Sequence, residues 1–337
     1  MKITYLKSAI IGNNICLRVK TDKGIDGYSQ VEENKDFINV NVPYFRDMIV
    51  GCDPTNVEDV MRRIRRLGAF KPWGKLVSSI EMALWDIAGK EAGVPVYKLL
   101  GGTDPVVHND ITIGIDTPEK MQAAAKRFVF EKGFRILKIK IGINPEDDLR
   151  ALTLIREAVG EDIRLRVDAN QGYNVETALE VLPTFEKLHI DAVEQCLPWW
   201  DFDGAAELMK KNATSVKLML DESIHTPYDA QRASKLHCAD YYNIKLMKCG
   251  GLYTGAQIAD IAQETGVKCM VGCMQENKIS ITAGVSLVAA KQAIVEADCD
   301  SFMFFKGDDD GIAGGFDRKG GIFPLLDKPG LGIDMDI

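Results

Sequence analysis

Leu137-Lys138-Ile139-Lys140 decides the reading of this chain, because its lysines open a ladder of charged residues continued by Asp168, Glu194, Asp221 and Lys245. From Lys140 onward neighbouring rungs stand 24 to 28 residues apart, about the length of one strand, one helix and two loops. Residues at that period fall at the same end of successive strands in a (β/α)₈ barrel. Lys138 and Lys140, two apart on a strand, point to one face. Carboxylates and lysines are thereby gathered around a single mouth. Carboxylate oxygens suit Mg²⁺, which takes few protein ligands and keeps positions open for substrate oxygens.

On either side of this stretch the chain alternates strand and helix signals. Val106 to Gly114 and Phe134 to Ile141 read as the first two strands. Six more follow at Ile163 to Val167, Ala192 to Glu194, Lys217 to Leu220, Tyr241 to Leu246, Lys268 to Gly272 and Ile294 to Asp300. Each is trailed by a segment of helical period such as Pro145 to Val159 or Leu252 to Thr265. Upstream, Ile3 to Ala9 and Ile15 to Val19 flank the turn signal Gly12-Asn13-Asn14 and predict a hairpin. Val57 to Leu67, and Ser78 to Ala92 closed by Gly93, predict helices. Downstream, Phe302 to Ile337 carries Gly314-Gly315, Gly320-Gly321 and Pro329-Gly330 without helical period. The expected organisation is an α/β chain: a small α+β capping domain over 1–105, a (β/α)₈ barrel over 106–303, and a tail over 304–337 folding back on the cap.

Composition narrows the function class. A chain of 337 residues, 46% of them hydrophobic, can fill a barrel and a smaller companion. Its net charge of −8 argues against nucleic acid or an anionic membrane as partner. Met1 to Tyr5 does not read as a signal peptide, and no apolar run approaches the roughly 18 residues of a spanning helix. Eight cysteines without C-x-x-C pairing suit reduced thiols. A cytoplasmic enzyme is expected, with closed homo-oligomeric assembly as the default.

Several dispersed motifs now carry a resemblance. Leu137-Lys138-Ile139-Lys140, Val167-Asp168-Ala169-Asn170-Gln171-Gly172, Val193-Glu194-Gln195, Leu220-Asp221-Glu222-Ser223 and Asn243-Ile244-Lys245 resemble, in order and over almost the whole chain, the muconate-lactonizing-enzyme subgroup of the enolase superfamily. Within it, Lys245-Leu246-Met247-Lys248, Gly272-Cys273-Met274-Gln275-Glu276, Asp298-Cys299-Asp300 and Gly330-Leu331-Gly332-Ile333 are most similar to the dipeptide epimerases. The resemblance implies one Mg²⁺ per subunit on Asp168, Glu194 and Asp221. It implies Lys140 and Lys245 as the acid/base pair on opposite faces of the substrate, with Lys138 assisting electrostatically. Asp298 and Asp300 would bind the α-ammonium of a dipeptide, Met274 and Glu276 would line the site, and Asn170 would orient the metal shell.

The chemistry explains why such residues belong together. A proton α to a carboxylate is weakly acidic, and charge must stabilise the enediolate that forms as it leaves. Repulsion from Lys138 together with partial burial is expected to lower the pKa of Lys140 toward the range of a useful base. An elimination, as in a dehydratase, a cycloisomerase or an o-succinylbenzoate-synthase-like enzyme, needs only one lysine and is the alternative on the same fold. Other charged residues have plainer readings. Lys248 is expected at the surface or rim, and Arg62, Arg63, Arg65 and Arg66 on a solvated helix face. His108, His189, His225 and His237 have no metal spacing, and Asp308 to Asp310 read as a solvated loop. Trp199 and Trp200 are either a substrate wall or core packing. The resembling family's long loop after the first strand is replaced here by Gly12-Asn13-Asn14, so an acidic-dipeptide preference does not carry over and Trp73 is a candidate for cover.

Overall fold

A computed structural model describes residues 1–11, 14–66, 74–305 and 312–335. The hairpin turn residues Gly12 and Asn13, the Trp73 segment and Asp308 to Asp310 lie outside them. Strands β1 (Ile3–Ile11), β2 (Asn14–Thr21) and β3 (Gly27–Val31) form an antiparallel sheet, paired up to Ile11 opposite Asn14. Helices α1 (Lys35–Ile49), α2 (Val57–Arg65), α3 (Lys75–Ala92) and α4 (Val96–Leu99) follow. Helix α3 ends where Gly93 takes a φ of 70°, a left-handed conformation that glycine adopts without penalty. It is buried on nearly every side, because it packs against β3 and against helices of the barrel.

The barrel then builds up in register. Strand β4 (Val106–His108) precedes β5 (Ile111–Ile113), α5 (Pro118–Lys126), β6 (Ile136–Lys140), α6 (Pro145–Val159), β7 (Arg164–Asp168), α7 (Val175–Lys187) and β8 (Ile190–Glu194). Helix α8 (Phe202–Lys211), β9 (Lys217–Leu220), α9 (Pro227–Leu236), β10 (Tyr241–Lys245), α10 (Leu246–Cys249), α11 (Leu252–Thr265), β11 (Lys268–Gly272), α12 (Lys278–Ala290) and β12 (Ile294–Asp298) complete it. Strands β5 to β12 pair in sequence order as one parallel sheet. Its end strands meet where Asp110 N–H donates to Ala297 O at 3.2 Å. Helix starts are written locally: Asn144 caps α6 with Pro145 at the first position, and Thr226 with Asp229 makes a reciprocal capping box on α9.

Pairing of Lys140 with Asp168, and of Asp168 with Glu194, aligns the ladder at the carboxyl ends of the strands. Alternation then divides each strand. Leu137, Ile139, Leu165, Val167 and Val193 join the main apolar core, while Ala192, Met219 and Met270 form a small cluster of their own beside the buried Arg166, which bonds Met270 Sδ at 3.2 Å. Arg166 pairs with Asp110 and, at 3.1 Å, with Glu296.

Two expectations need correction. The anticipated first strand, Val106 to Gly114, is split: β5 enters the barrel, whereas β4 pairs antiparallel with β14 (Ile322–Pro324). The remaining strands are β13 (Ala313–Gly314) and β15 (Ile333–Asp334), which pair with each other. Asn109 explains the break, since its N–H bonds Gly321 O at 2.7 Å and its side chain accepts from Cys299 N at 2.7 Å. Arg65 also leaves the solvated face expected of it. Its guanidinium reaches Thr254 Oγ1 at 3.0 Å, while Arg62 and Arg63 stay exposed on Asp59. The tail contacts the first hundred residues through Val96 N–H to Gly330 O at 2.9 Å and Leu331 N–H to Asp86 Oδ1 at 2.8 Å. Among the described residues no helix is long and apolar enough to cross a membrane, and all eight cysteines are free thiols.

Candidate active site

Going round the mouth, β6 supplies Lys138 and Lys140, β7 Asp168, β8 Glu194, the end of β9 Asp221, β10 Lys245 and β12 Asp298. The predicted residues converge. Lys138 Nζ, its side chain 3% exposed, lies 2.7 Å from Asp298, 2.9 Å from Glu194 and 3.0 Å from Asp168. Burial works against its charge, but Asp298, Glu194 and Asp168 hold the ammonium well above the usual lysine range. Lys138 is therefore a fixed cation at the floor. Lys140 Nζ shares Asp168 Oδ2 with it at 2.6 Å and bonds Asn170 Oδ1 at 2.8 Å. Lys245 Nζ lies 2.7 Å from Asp221 Oδ2. Burial opposes its charge too, yet the Asp221 carboxylate keeps it above an ordinary lysine.

The carboxylates respond in kind. Burial, then Asp168, pushes Glu194 up to about 7. Burial also acts on Asp168 and Asp221, but lysines outweigh it and hold both below the ordinary carboxylate range. On the β12 side, Asp298 accepts from Lys138, and Asp300 Oδ2 accepts from Thr112 N–H at 2.6 Å. Burial and neighbouring Asp298 raise Asp300 to about 6. Among the described residues, Asp110, Asp298 and Asp300 are the acids whose oxygens gather within 4.8 Å of one another.

Supporting groups set these positions. Asn170 takes a φ of 40° so that its N–H meets Asp168 Oδ1 at 2.9 Å. Gln195 Oε1 accepts from Asp221 N–H at 2.8 Å, tying β8 to β9, and Asn243 Nδ2 donates to Glu194 at 2.7 Å. Gly272 leaves room for Lys245: a Cβ there would stand 3.0 Å from Lys245 Cε and 2.7 Å from Asn243 Oδ1. Met274 is half-buried at the end of β11. Glu276 turns its carboxylate onto Met274 N–H at 2.9 Å, and burial raises that carboxyl to about 7.

Lys248 is not at the surface. Its Nζ bonds Asp221 Oδ1 at 2.5 Å, the Asp221 carbonyl, and Asn243 O at 3.2 Å. The one-turn helix α10 folds position 248 back over the end of β10, and the three-residue spacing from Lys245 is the only local signal of this. Gln195 and Asn243 were legible as motif members but not as props. Trp199 and Trp200 are not core residues, being 45% and 62% exposed.

Mg²⁺ is the metal that the resemblance implies on Asp168, Glu194 and Asp221, whose oxygens, unlike those of Asp110, Asp298 and Asp300, do not gather within 4.8 Å of one another. Asp168, Glu194 and Asp221 offer only hard oxygen donors, on adjacent strands. In this structure lysine ammonium groups lie against all three.

Residues 8–101 match the family model "Mandelate racemase / muconate lactonizing enzyme, N-terminal domain", and residues 120–337 match "Enolase C-terminal domain-like". An L-Ala-D/L-Glu epimerase of Clostridium acetobutylicum is 34% identical, covering 98% of this chain and 93% of its own. A hydrophobic dipeptide epimerase of Enterococcus faecalis is 36% identical, over 85% of this chain and 81% of its own. The crystal structure of a dipeptide epimerase from Enterococcus faecalis complexed with Mg and L-Leu-L-Tyr superposes with a TM-score of 0.92 at 32% identity, covering 99% of this chain and 100% of that one.

Proposed function

Since this chain belongs to the enolase superfamily, in its mandelate racemase / muconate lactonizing enzyme family, and is an isomerase of the racemase and epimerase kind, we propose that it epimerises dipeptides by 1,1-proton transfer at the α carbon of the C-terminal residue. The observation that carries this reading is the order of groups round the mouth. Lys140 on β6 and Lys245 on β10 flank the arc of Asp168, Glu194 and Asp221, while Asp298 and Asp300 stand on the other arc. A dipeptide laid across that mouth has its carboxylate over the first arc, its ammonium on the second, and its α carbon between two lysines.

Mg²⁺ on Asp168, Glu194 and Asp221, one per subunit, would supply the fixed charge that makes the α proton acidic enough to remove. In one direction the amine of one lysine takes the proton, and the C–H electron pair stays on the substrate as the enediolate. The ammonium of the opposite lysine then delivers a proton to the other face. Lys138, held charged beneath them, stabilises the negative charge. Asn170 aims Lys140, and Asp221 aims Lys245. Elimination remains the second reading, but retention of both lysines together with Asp298-x-Asp300 favours epimerisation. A cytoplasmic location accords with free thiols throughout.

The test is a mass-spectrometric screen of L,L-dipeptide pools in D₂O with purified protein and Mg²⁺. A gain of one mass unit in particular members, lost on chelation, is expected. Its absence in every pool, from folded metal-loaded protein, overturns the proposal.

A further inference from the structure

Asp298-Cys299-Asp300 rests on the chain that enters β5. Asp110 N–H donates to Ala297 O at 3.2 Å, Asn109 Oδ1 accepts from Cys299 N–H at 2.7 Å, and Thr112 N–H reaches Asp300 Oδ2 at 2.6 Å. Asp110 stands between these contacts. One of its carboxyl oxygens lies within 4.8 Å of oxygens of both Asp298 and Asp300. Asp110 is fully buried, so it touches no substrate itself.

Arg166 on β7 lies against the same group. Its Nη2 donates to Asp110 Oδ2 and, at 3.3 Å, to Ala297 O, while its Nη1 is 3.1 Å from Glu296. Its Nε–H is buried without a hydrogen-bond partner, so the guanidinium has an unused donor. Burial opposes its charge, but Asp110, then Glu296 and Asp298, hold it above the ordinary arginine range. Asp298 is thus a further carboxylate that already acts on Arg166. Burial and the neighbouring Asp298 push the Asp110 carboxyl well up. A carboxyl that holds its proton on Oδ1 still accepts from Arg166 through Oδ2, so Asp110 serves Arg166 as an acceptor rather than as a charge. On the mouth side, Asp298 meets Lys138 at 2.7 Å, whereas the Thr112 N–H on Asp300 is a neutral donor.

We propose that Asp110 is a positioning residue for the ammonium site: by holding Arg166 below the mouth it keeps that guanidinium off Asp298, and so leaves Asp298 and Asp300 to the α-ammonium of the dipeptide. This rests on the function proposed above, which puts that ammonium on Asp298 and Asp300. A buried guanidinium that loses one acceptor takes the next in reach. Paired with Asp298, it would compete with the substrate cation for the same oxygens. The proton transfer between Lys140 and Lys245 is not involved, so the loss falls on binding.

Exchange of the α hydrogen in D₂O, followed for the dipeptide that exchanges fastest in the screen above, gives kcat and KM, and calorimetry gives the Kd of Mg²⁺. Asp110→Ala is expected to raise KM by on the order of tenfold, the scale of one charge-assisted hydrogen bond, with kcat and Mg²⁺ affinity changed far less. Asp110→Asn, whose amide oxygen still accepts from Arg166, should keep KM near that of the wild type. Asp110→Ala combined with Arg166→Met should do the same, because the competitor leaves with its partner, and this pair serves as the test should the single variant fail to fold. An unchanged KM in Asp110→Ala, or a rise that persists in the amide or in the double variant, overturns the inference. Equal losses in KM, kcat and Mg²⁺ affinity overturn it too, by marking a structural role. With wild-type exchange intact, those results leave the epimerase reading standing. Absence of wild-type exchange from every dipeptide sinks that reading and this inference with it.

Discussion

At the barrel mouth Asp168, Glu194 and Asp221 are each met by lysine ammonium groups, whereas at the seam between α3 and α11 the equally buried Glu81 is hydrogen-bonded by neutral donors. Leu252 N–H and Tyr253 N–H reach it at 2.7 and 2.8 Å, and Trp85 Nε1–H at 2.7 Å. Helix α11 has no side-chain cap of its own, so Glu81 serves as one from a distance. The difference is one of exchangeability. The partly exposed Lys140 ammonium, on its flexible stem, can give up Asp168 to another cation, whereas Lys138, held among three carboxylates, and a backbone N–H cannot. Under the proposed function the mouth carboxylates change partners, whereas the seam carboxylate keeps its own.

The comparison can be broken most sharply at the lysines. Lys140→Ala and Lys245→Ala should each cut epimerisation by roughly 10²–10⁴-fold, followed by polarimetry. One of them should still exchange the α hydrogen of a single stereoisomer. Full activity in both variants would remove the lysines from the chemistry.

Glu81 gives the opposite signature. Burial raises its carboxyl to about 7 in the folded state, from an ordinary value of 4.5. The folded chain then holds this proton more tightly than the unfolded chain, so stability falls as pH rises from about 4.5 to about 7 and levels off above. The loss attributable to Glu81 is on the order of 3 kcal/mol. Glu81→Gln should lack that slope in urea titrations at pH 5 and pH 8, while kcat/KM of the folded protein is unchanged. A variant with the wild-type slope would show that Glu81 stays charged.

Metal removal sharpens the mouth side. Adding Mg²⁺ at a hundredfold over its Kd to the chelated protein should raise unfolding stability by about 2.7 kcal/mol. Glu194→Gln should abolish most of that rise. A smaller effect, of about tenfold in KM for the dipeptide, is expected for Asp298→Asn, with Mg²⁺ affinity changed less. Equal loss of both would make Asp298 a metal ligand.

Much of this was legible beforehand because strand period and repeat length are local properties. Lys138, Lys140, Asp168, Glu194, Asp221 and Lys245 lie at the strand ends that the period assigns, whereas of the pair that the resemblance supplied Asp298 ends β12 and Asp300 falls beyond it. Misreadings came where a side chain travels. Lys248 looked like a rim residue because nothing in its neighbours announces that α10 turns it onto Asp221. Trp199 left core and wall undecided, since hydrophobicity alone cannot say which way a loop faces. Val106 to Gly114 read as one strand because its apolar pattern is continuous, while the break at Asn109 depends on Gly321 and Cys299, both nearly two hundred residues or more away.

By itself the sequence determined the barrel, its ladder of lysines and carboxylates, and the antiparallel sheet before it. Alternation within a strand and the spacing between strands are enough to assign facing and height. The tertiary structure alone decided which ammonium meets which carboxylate, which strand the tail pairs with, and how Glu81 caps a distant helix. Those contacts join residues far apart in the chain, and their energies depend on burial and on competing partners that exist only once the barrel has closed.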